Sequence, residues 1–214
     1  MATYLFFWDI PKNKIAAAVL RMATGHLFLK FNKKISFYKL LGTGKGETFT
    51  PNDANSLRWG LLLVMNEQPS NLRVVKSWRR ISSKERFFEL RAIAAHGKWA
   101  KQQPFVIHDQ INMANKVAVI TRARIKFKLN RKFWSYVPPV VVSLKKSPGL
   151  IWSIGIGEAP IGLQGTFSLW ENSAAVAAFA FKDPVHAGVI KKTRELNWYS
   201  EELFARFEVI SEAE

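Results

Sequence analysis

One histidine near the carboxyl end of the chain has the spacing expected of an inward-facing ligand. His186 follows Asp183-Pro184 and shares helical spacing with Val189, Ile190 and Thr193 at i, i+3, i+4 and i+7. This pattern aims the imidazole at the protein interior. An inward imidazole is either a hydrogen-bonded core residue or a ligand, and the spacing leaves both open. The other histidines, at 26, 96 and 108, form no i, i+3 or i, i+4 pair, so the chain has no local zinc motif.

A single histidine is enough for one kind of metal chemistry. Haem b needs one axial protein ligand, cationic side chains near its propionates and an apolar pocket. His186 is the candidate iron ligand and His26 is the reserve. The candidate propionate partners are Arg122, Arg124 and Arg194. Trp152, Phe167 and Trp170 are candidates for the pocket walls, although ordinary core packing is the simpler explanation for any one of them.

The chain contains no cysteine, which excludes disulfides, thiolate-ligated haem, a thiol nucleophile and an iron–sulfur cluster held by this chain. Redox chemistry therefore requires electrons from a separate protein. The sequence also has no G-x-S-x-G motif, so a serine hydrolase is disfavoured.

Positive charge is concentrated in the first two thirds of the chain. The formal net charge is +16, with 27 Lys and Arg against 7 Asp and Glu in residues 1–150 and 5 against 9 in residues 151–214. Such a surface attracts nucleic acid, an anionic bilayer or an acidic electron donor, and charge alone does not choose among them. No zinc-finger, KH or RRM signature is present, which disfavours nucleic acid. With no membrane-spanning stretch and no basic signal region before the first apolar residues, we expect a cytoplasmic protein.

The order of predicted elements indicates two related halves. We predict strands at 4–10, 35–41 and 59–65, with helices at 15–29 and 71–95, the second broken near Ser82-Ser83. In the helix at 15–29 the predicted buried stripe is Ile15, Val19, Met22, His26 and Leu29. The second half repeats the order, with strands at 116–127, 150–156, 163–170 and 204–210 and helical segments at 173–181 and 185–196. Residues 131–145 are predicted to form a helical or broken segment around Pro138-Pro139. This pattern predicts an α+β fold of two ferredoxin-like βαββαβ repeats, residues 1–113 and 114–214, which form a single-chain dimeric α+β barrel.

Two glycine-containing segments support the internal repeat. Residues 40–47 include Gly42-Thr43-Gly44-Lys45-Gly46, and they resemble residues 153–158, which include Gly155-Ile156-Gly157. A dinucleotide-binding loop needs a third glycine three residues after the second and then a helix, and neither segment has a glycine at that spacing. We interpret them as a loop and a strand end where glycine permits a positive φ or a close backbone approach.

Four parts of the chain carry a resemblance to a known family. They are residues 37–51, residues 121–123, residues 154–160 with 166–170, and residues 186–207. The last is the most specific, because His186-Ala187, Arg194-Glu195, Trp198 and residues 201–207 keep both identity and spacing. In these segments the chain resembles the spheroidene monooxygenases, carotenoid oxygenases of purple bacterial pigment synthesis.

The resemblance implies a reaction and a set of partners. It implies a haem-dependent monooxygenase that uses O2 and a reduced ferredoxin to oxidise a terminal methylene of an acyclic carotenoid twice, to a ketone through a hydrated intermediate. His186 is then the proximal ligand, and Arg194 or Arg122 is the propionate or distal partner. A substrate dissolved in a bilayer also gives the basic surface a role, peripheral contact with anionic lipid at the inner face of the membrane.

Two readings of other kinds stay open at this stage. The first is a non-enzymatic barrel that binds haem or another apolar ligand, with His186 as a core residue; it would leave a bound pigment unchanged. The second is nucleic-acid binding through the basic first two thirds, for which affinity would fall steeply with salt.

Overall fold

The computed structural model describes residues 1–48, 51–109, 112, 115–158, 165–182, 188, 196 and 199–214. Within these residues the chain forms eight strands, four α-helices and one π-helical turn, Ala178–Lys182. The strands are β1 Ala2–Asp9, β2 Ile35–Gly44, β3 Ala54–Met65, β4 Lys84–Gly97, β5 Val117–Ile125, β6 Leu150–Gly157, β7 Gly165–Trp170 and β8 Tyr199–Ala213. The helices are α1 Ile15–Lys30, α2 Arg73–Arg79, α3 Asn130–Lys146 and α4 Ser173–Ala177. No helix of the described residues is long and apolar enough to cross a bilayer.

The strands form one closed antiparallel barrel in the order β1-β3-β2-β6-β7-β5-β8-β4. The first half contributes the run β4-β1-β3-β2 and the second half the matching run β8-β5-β7-β6. One junction between the halves is the long pairing of β4 with β8, and the other is the short pairing of β2 with β6. The predicted α+β class with an antiparallel sheet is confirmed.

The two glycine-containing segments meet at the short junction. Gly42 pairs with Gly157 and Thr43 with Ile156, so these segments join β2 to β6. Gly46 has a φ of +80°, and a side chain there would bring a Cβ to 2.9 Å from the backbone oxygen of Ser153. The expected positive φ and close approach are therefore present at Gly46, and the approach is to the chain itself.

The core has three parts because most strands are buried on both faces. In β1, Leu5 and Phe7 point into the barrel, whereas Tyr4, Phe6 and Trp8 point outward under α1 and α2. The interior cluster includes Phe88, Ile120 and Phe167. A third, smaller cluster joins the outer face of β5 and β7 to α3 and α4.

The buried face of α1 differs from the predicted stripe. Ala18, Gly25 and Leu29 are the buried residues of this helix, whereas Val19 and His26 are exposed. The small residues let the helix lie close to the sheet: a Cβ at Gly25 would be 3.0 Å from a methyl carbon of Leu40. The prediction failed because apolar residues occur on all sides of this helix, so several stripes fit the sequence.

The predicted helix over residues 71–95 is wrong in its second half. A helix covers only Arg73–Arg79, and Lys84–Gly97 is strand β4. Phe88, Leu90 and Ala92 are all buried, which is the two-residue period of a strand. The helix-forming residues of this segment misled the prediction, and pairing with β1 on one side and β8 on the other overrides that preference.

Candidate active site

An apolar cavity lies between the outer face of the second-half strands and their covering helices; we call it the outer cavity. Its volume is about 220 Å³. The strands contribute Val119, Thr121, Thr166, Ser168, Trp170, Tyr199 and Phe204, and the helical segments contribute Phe133, Tyr136, Val137, Val140, Val141, Leu144, Val176, Phe179 and Ala180. The outer cavity is therefore walled by α3, α4, the π-helical turn and three strands.

Sequence periodicity explains why these side chains share one space. On β5, Val119 and Thr121 alternate with inward residues, and on α3 Phe133, Val137 and Leu144 follow helical spacing. None of the described residues that line the outer cavity carries a charge. Its hydrogen-bonding groups are hydroxyls and the indole of Trp170, whose Nε1 donates to Ser168 Oγ at 2.8 Å. Such walls suit a long or flat apolar molecule.

Two of the sequence-predicted site residues, His186 and Arg194, lie outside the described residues. Some described residues before and after this part of the chain do line the outer cavity. Phe179 and Ala180 precede that part of the chain and Tyr199 follows it. Of the aromatic wall candidates, Trp170 lines the outer cavity, whereas Trp152 and Phe167 pack in the barrel interior.

The two other predicted site residues, Arg122 and Arg124, do not line the outer cavity. Arg122 points into the barrel, on the opposite face of β5 from Val119 and Thr121, and is 3% exposed. Arg124 lies two residues further along the strand and is exposed. We expected both arginines to contact the propionates of a bound haem. Because side chains alternate along a strand, both point away from the outer cavity and cannot contact a propionate there.

Arg122 is buried and instead lies at the centre of a partly buried ion cluster, which we call the Arg122 cluster. Its Nη2 and Nε donate to Glu158 Oε1 at 2.8 and 3.1 Å, and its Nη1 donates to Glu201. Lys39 Nζ donates to Glu158 Oε2 at 2.6 Å, and Trp99 Nε1 donates to Glu158 Oε1 at 2.8 Å. The Arg122 guanidinium carbon lies 5.5 Å from the ring centroid of Trp99. The cluster joins residues of three strands, β2, β5 and β8, with Glu158 just after β6 and Trp99 in the loop after β4.

Both carboxylates of the Arg122 cluster are held in the charged form. Burial raises the pKa of Glu158, but hydrogen bonds from Lys39 and Trp99 and the nearby positive charges outweigh burial and lower it. The pKa of Glu201 is also lowered: burial opposes ionisation, and the backbone N–H of Lys101, Arg122 and the backbone N–H of Ala100 more than compensate. Ala100 and Lys101 have positive φ values of 54° and 65°, a conformation that lets both N–H groups bind one carboxylate.

The three described histidines are not placed as haem ligands. His26, the reserve ligand, is exposed on α1 with its ring 5.7 Å from that of Tyr38. The His96 side chain is exposed and its Nε2 lies 3.9 Å from Glu202. His108 is partly buried, with a ring nitrogen 3.5 Å from the backbone oxygen of Met1. In the described part of the chain, no group of three His, Asp or Glu residues is arranged to hold a metal ion.

The glycine loop after β2 already binds an anionic group of the chain itself. Asp53, which is buried, accepts hydrogen bonds from the backbone N–H groups of Gly46 and Glu47 at 3.0 and 3.1 Å. These N–H groups would otherwise face a phosphate in a nucleotide-binding loop. Their occupation by Asp53 agrees with the sequence analysis, which did not favour phosphate binding.

Sequence reasoning missed the partners in the Arg122 cluster and most of the outer-cavity wall. In sequence, Glu158 is 119 residues from Lys39 and 36 from Arg122, and Glu201 is 79 residues from Arg122. No local pattern therefore connects them. The wall residues of α3 did have a signal. Their helical spacing across Pro138-Pro139 predicts one apolar face, although the two prolines had suggested a broken segment.

The chain is similar in sequence to known proteins, although no family model matches it. The spheroidene monooxygenase of Rhodobacter capsulatus is 34% identical over 185 residues, which cover 83% of this chain and 76% of that protein. The spheroidene monooxygenase of Cereibacter sphaeroides is 29% identical over 197 residues, which cover 89% of this chain and 60% of that protein.

Among solved structures, an aldoxime dehydratase in complex with butyraldoxime superposes with a TM-score of 0.56 at 10% identity. The match covers 97% of this chain and 79% of that one, and it shows a shared fold. The identity to the Rhodobacter capsulatus protein over most of both chains confirms the family to which the sequence segments pointed. The chain belongs to the spheroidene monooxygenase family.

Proposed function

We propose that the protein is a monooxygenase that oxidises the end of an acyclic carotenoid, with the outer cavity as the place of reaction. Family membership makes the chain an enzyme of the oxidoreductase class. The observation that carries the proposal is an apolar cavity without a charged wall residue among those described. A polyene hydrocarbon has no groups that could partner buried charges, so such walls suit it.

The architecture of the proposed enzyme is a single-chain dimeric α+β barrel. Residues 1–113 form one ferredoxin-like repeat and residues 114–214 the other. The matching strand orders β4-β1-β3-β2 and β8-β5-β7-β6 support this division. The outer cavity then belongs to the second repeat alone.

Haem b is the proposed cofactor, and the described walls fit its apolar faces. They contain no histidine and no cation, so the axial ligand and the propionate partners come from elsewhere in the chain. His186 is the proposed ligand and Arg194 the proposed propionate partner. The support is that the chain leaves the wall of the outer cavity at Phe179 and Ala180 and is part of that wall again at Tyr199. The volume left by the described residues is below the roughly 300–1,000 Å³ usual for cofactor pockets, so these walls account for part of the site. When bound, haem supplies the activation of O2.

The overall reaction fixes what the partners must deliver. Each round consumes one O2, two electrons and two protons, places one oxygen atom on the terminal methylene and releases the other as water. A second round on the same carbon gives a hydrated carbonyl, which loses water to form the ketone. The electrons come from a ferredoxin-type donor, because the cysteine-free chain holds no iron–sulfur cluster.

The residues of the outer cavity contribute binding and exclusion of water. Phe133, Trp170 and Phe179 offer flat surfaces against which a polyene packs. A closely packed apolar wall removes water from the reacting carbon and so protects reduced oxygen species from unproductive proton transfer. Thr121 and Thr166 line the outer cavity, and their hydroxyls are the proposed partners of the hydroxyl or keto group of the product.

The test compares absorption spectra of wild type and His186→Ala, both expressed with a haem precursor. His26→Ala and His96→Ala are matched controls, because both side chains are exposed and neither lines the outer cavity. We expect a Soret band in the wild type and both controls, and its loss or shift in His186→Ala only. A folded wild type without haem would refute the haem proposal.

A second assay tests the reaction itself. Purified protein, a ferredoxin, its reductase and an acyclic carotenoid are incubated under ¹⁸O2, and the product is analysed by mass spectrometry. We expect one labelled oxygen in the hydroxylated carotenoid. Recovery of bound but unchanged carotenoid would instead assign the protein to the non-enzymatic carriers.

A further inference from the structure

The outward face of α1 exposes a row of large apolar side chains, which we call the apolar ridge. Their exposed fractions run from 50% to 75%. The members are Val19, Leu20, Leu27, Phe28 and Phe31. They lie opposite the buried residues Ala18, Gly25 and Leu29, so the helix is apolar on both its faces. A helix that is apolar all round is normally covered on all sides, and here the described residues cover only one.

A cationic groove borders the apolar ridge, between α1 and α2. Its volume is about 530 Å³, and it is lined by four arginine or lysine side chains and by no described acidic residue. The cations are Arg21, Arg73, Lys76 and Arg80. Arg21 fixes the spacing of the two helices, because its Nε donates to the backbone oxygen and the Oγ of Ser77 at 3.1 and 2.9 Å. The Arg73 guanidinium carbon lies 5.0 Å from the ring centroid of Phe28, so ridge and groove are in contact.

The charge distribution of the sequence also favours an anionic occupant for this side of the molecule. The sequence from Ile10 to Gly46 contains eight Lys and Arg and no Asp or Glu. Together with the cations of the groove, this excess indicates oxygen-rich, negatively charged groups as the partner.

We infer that this surface binds an anionic membrane, with the apolar ridge inserted at the boundary of headgroups and acyl chains and the cationic groove on lipid phosphates. Helices that lie in the membrane interface combine Phe and Leu on one side with flanking Lys and Arg, as α1 does. A lipid surface accommodates a row of exposed apolar side chains without a preformed complementary groove. A second copy is disfavoured, because a two-fold contact through this face would bring the two sets of cations together.

This inference rests on the proposed function only for its biological reason, the solubility of a carotenoid in lipid. No residue of α1 or α2 lines the outer cavity. Membrane binding therefore places the enzyme beside its substrate pool without forming the reaction site. Its test reads vesicle binding by the full chain in the absence of substrate, so either proposal can fail alone.

The experiment is co-sedimentation of the full chain with phosphatidylcholine vesicles, prepared with and without phosphatidylglycerol. The ridge variant is Leu27→Ser/Phe31→Ser, and the groove variant is Arg73→Gln/Lys76→Gln/Arg80→Gln. Matched controls replace exposed residues elsewhere: Val142→Ser/Ile151→Ser for the ridge, and Lys98→Gln/Lys101→Gln/Lys128→Gln for the groove. All substituted side chains are at least partly exposed, and circular dichroism verifies that each variant is folded.

We expect the wild type to bind only the vesicles with phosphatidylglycerol, and to be released by salt. The groove variant should lose about tenfold or more in partition coefficient, since each cation near an anionic surface accounts for about a fivefold change. The ridge variant should also lose about tenfold or more, since it removes two large apolar side chains from the inserted surface. The controls should change less than about twofold.

Four outcomes would overturn the inference. The first is that the wild type does not bind anionic vesicles, and the second is that the variants and their controls lose binding equally. The third is that light scattering shows a dimer, which the substitutions of the ridge variant dissociate. The fourth is that the wild type binds an acidic ferredoxin and the ridge variant does not, while the ridge variant still binds vesicles. The third would assign the surface to a second copy, and the fourth to the electron donor.

Discussion

Replacing Arg122 by methionine distinguishes a structural role for this side chain from the haem-binding role that the sequence suggested. Methionine keeps much of the volume of the arginine stem and removes the guanidinium from the Arg122 cluster. If the cluster stabilises the barrel, apo-Arg122→Met is less stable to urea than the wild type. If Arg122 serves a bound propionate, the apoprotein keeps its stability and only haem affinity falls.

The expected loss follows from the partners that remain. Breaking a buried ion pair costs about 3–5 kcal/mol when the partner is left uncompensated. Here Glu158 keeps Lys39 and Trp99, and Glu201 keeps two backbone N–H groups, so neither carboxylate is stranded. What is lost is three charge-assisted hydrogen bonds, each worth roughly 1.5–3 kcal/mol. Against this loss, the variant no longer carries the desolvation cost of a buried guanidinium, which is several kcal/mol. We therefore expect a free energy of unfolding lower by about 2–3 kcal/mol.

Arg124→Met is the matched control, because Arg124 is on the same strand and is exposed. We expect it to change the free energy of unfolding by no more than about 0.5 kcal/mol. Urea titrations followed by tryptophan fluorescence measure both variants without haem. An Arg122→Met apoprotein as stable as Arg124→Met would refute the structural assignment.

The pH dependence supplies a second check with a fixed sign. The pKa values of Glu158 and Glu201 are lowered in the folded protein, so the unfolded chain takes up protons at higher pH than the folded one. The stabilisation from these groups is complete above the ordinary carboxyl pKa of 4.5 and is lost as pH falls below it toward the folded-state pKa. The stability difference between the wild type and Arg122→Met should therefore shrink below that pH. A difference that stays constant to lower pH would contradict the assignment.

Three other substitutions have directions set by geometry. Gly97→Ala should destabilise the fold by about 2 kcal/mol or more in thermal unfolding, because φ is +85° and the new Cβ would lie 2.1 Å from a backbone oxygen of β8. Asp53→Asn should cost about 1–2 kcal/mol and speed proteolysis near Gly46, since the charged acceptor of its N–H is lost. Val140→Phe should fill part of the outer cavity and weaken binding of an apolar dye about tenfold, while Val142→Phe on the exposed side of the same helix should not.

Short, nearly continuous apolar and aromatic runs were predictable as strands, whereas the segment with competing periods was not. The predicted strands at 4–10, 35–41 and 59–65 correspond to β1, β2 and β3. In β4, Phe87, Leu90 and Ile93 have helical spacing while Phe88, Leu90 and Ala92 have strand spacing. Only the neighbouring strands decide between these periods, and their positions are not contained in the segment.

The contacts of the Arg122 cluster could not be predicted for a different reason. Its ion pairs join residues that meet only after the barrel has closed. Glu158 is 36 residues from Arg122 and 119 from Lys39. Charge counts identified a basic chain but contained no information on which cations are buried, because burial of a charge depends on partners supplied by other strands.

In strand β5, neighbouring residues face opposite sides of the sheet, so one faces the outer cavity and the next faces the barrel interior. Its sequence Val119-Ile120-Thr121-Arg122 has no polar–apolar alternation, because both faces of the strand are covered. Val119 and Thr121 face the outer cavity, whereas Ile120 and Arg122 face the barrel interior. A cation that serves a ligand in the outer cavity must therefore come from another segment. Of the arginines that the sequence singled out, Arg194 is the one whose position in the chain still allows this role, which makes Arg194→Gln the next variant to examine for haem retention.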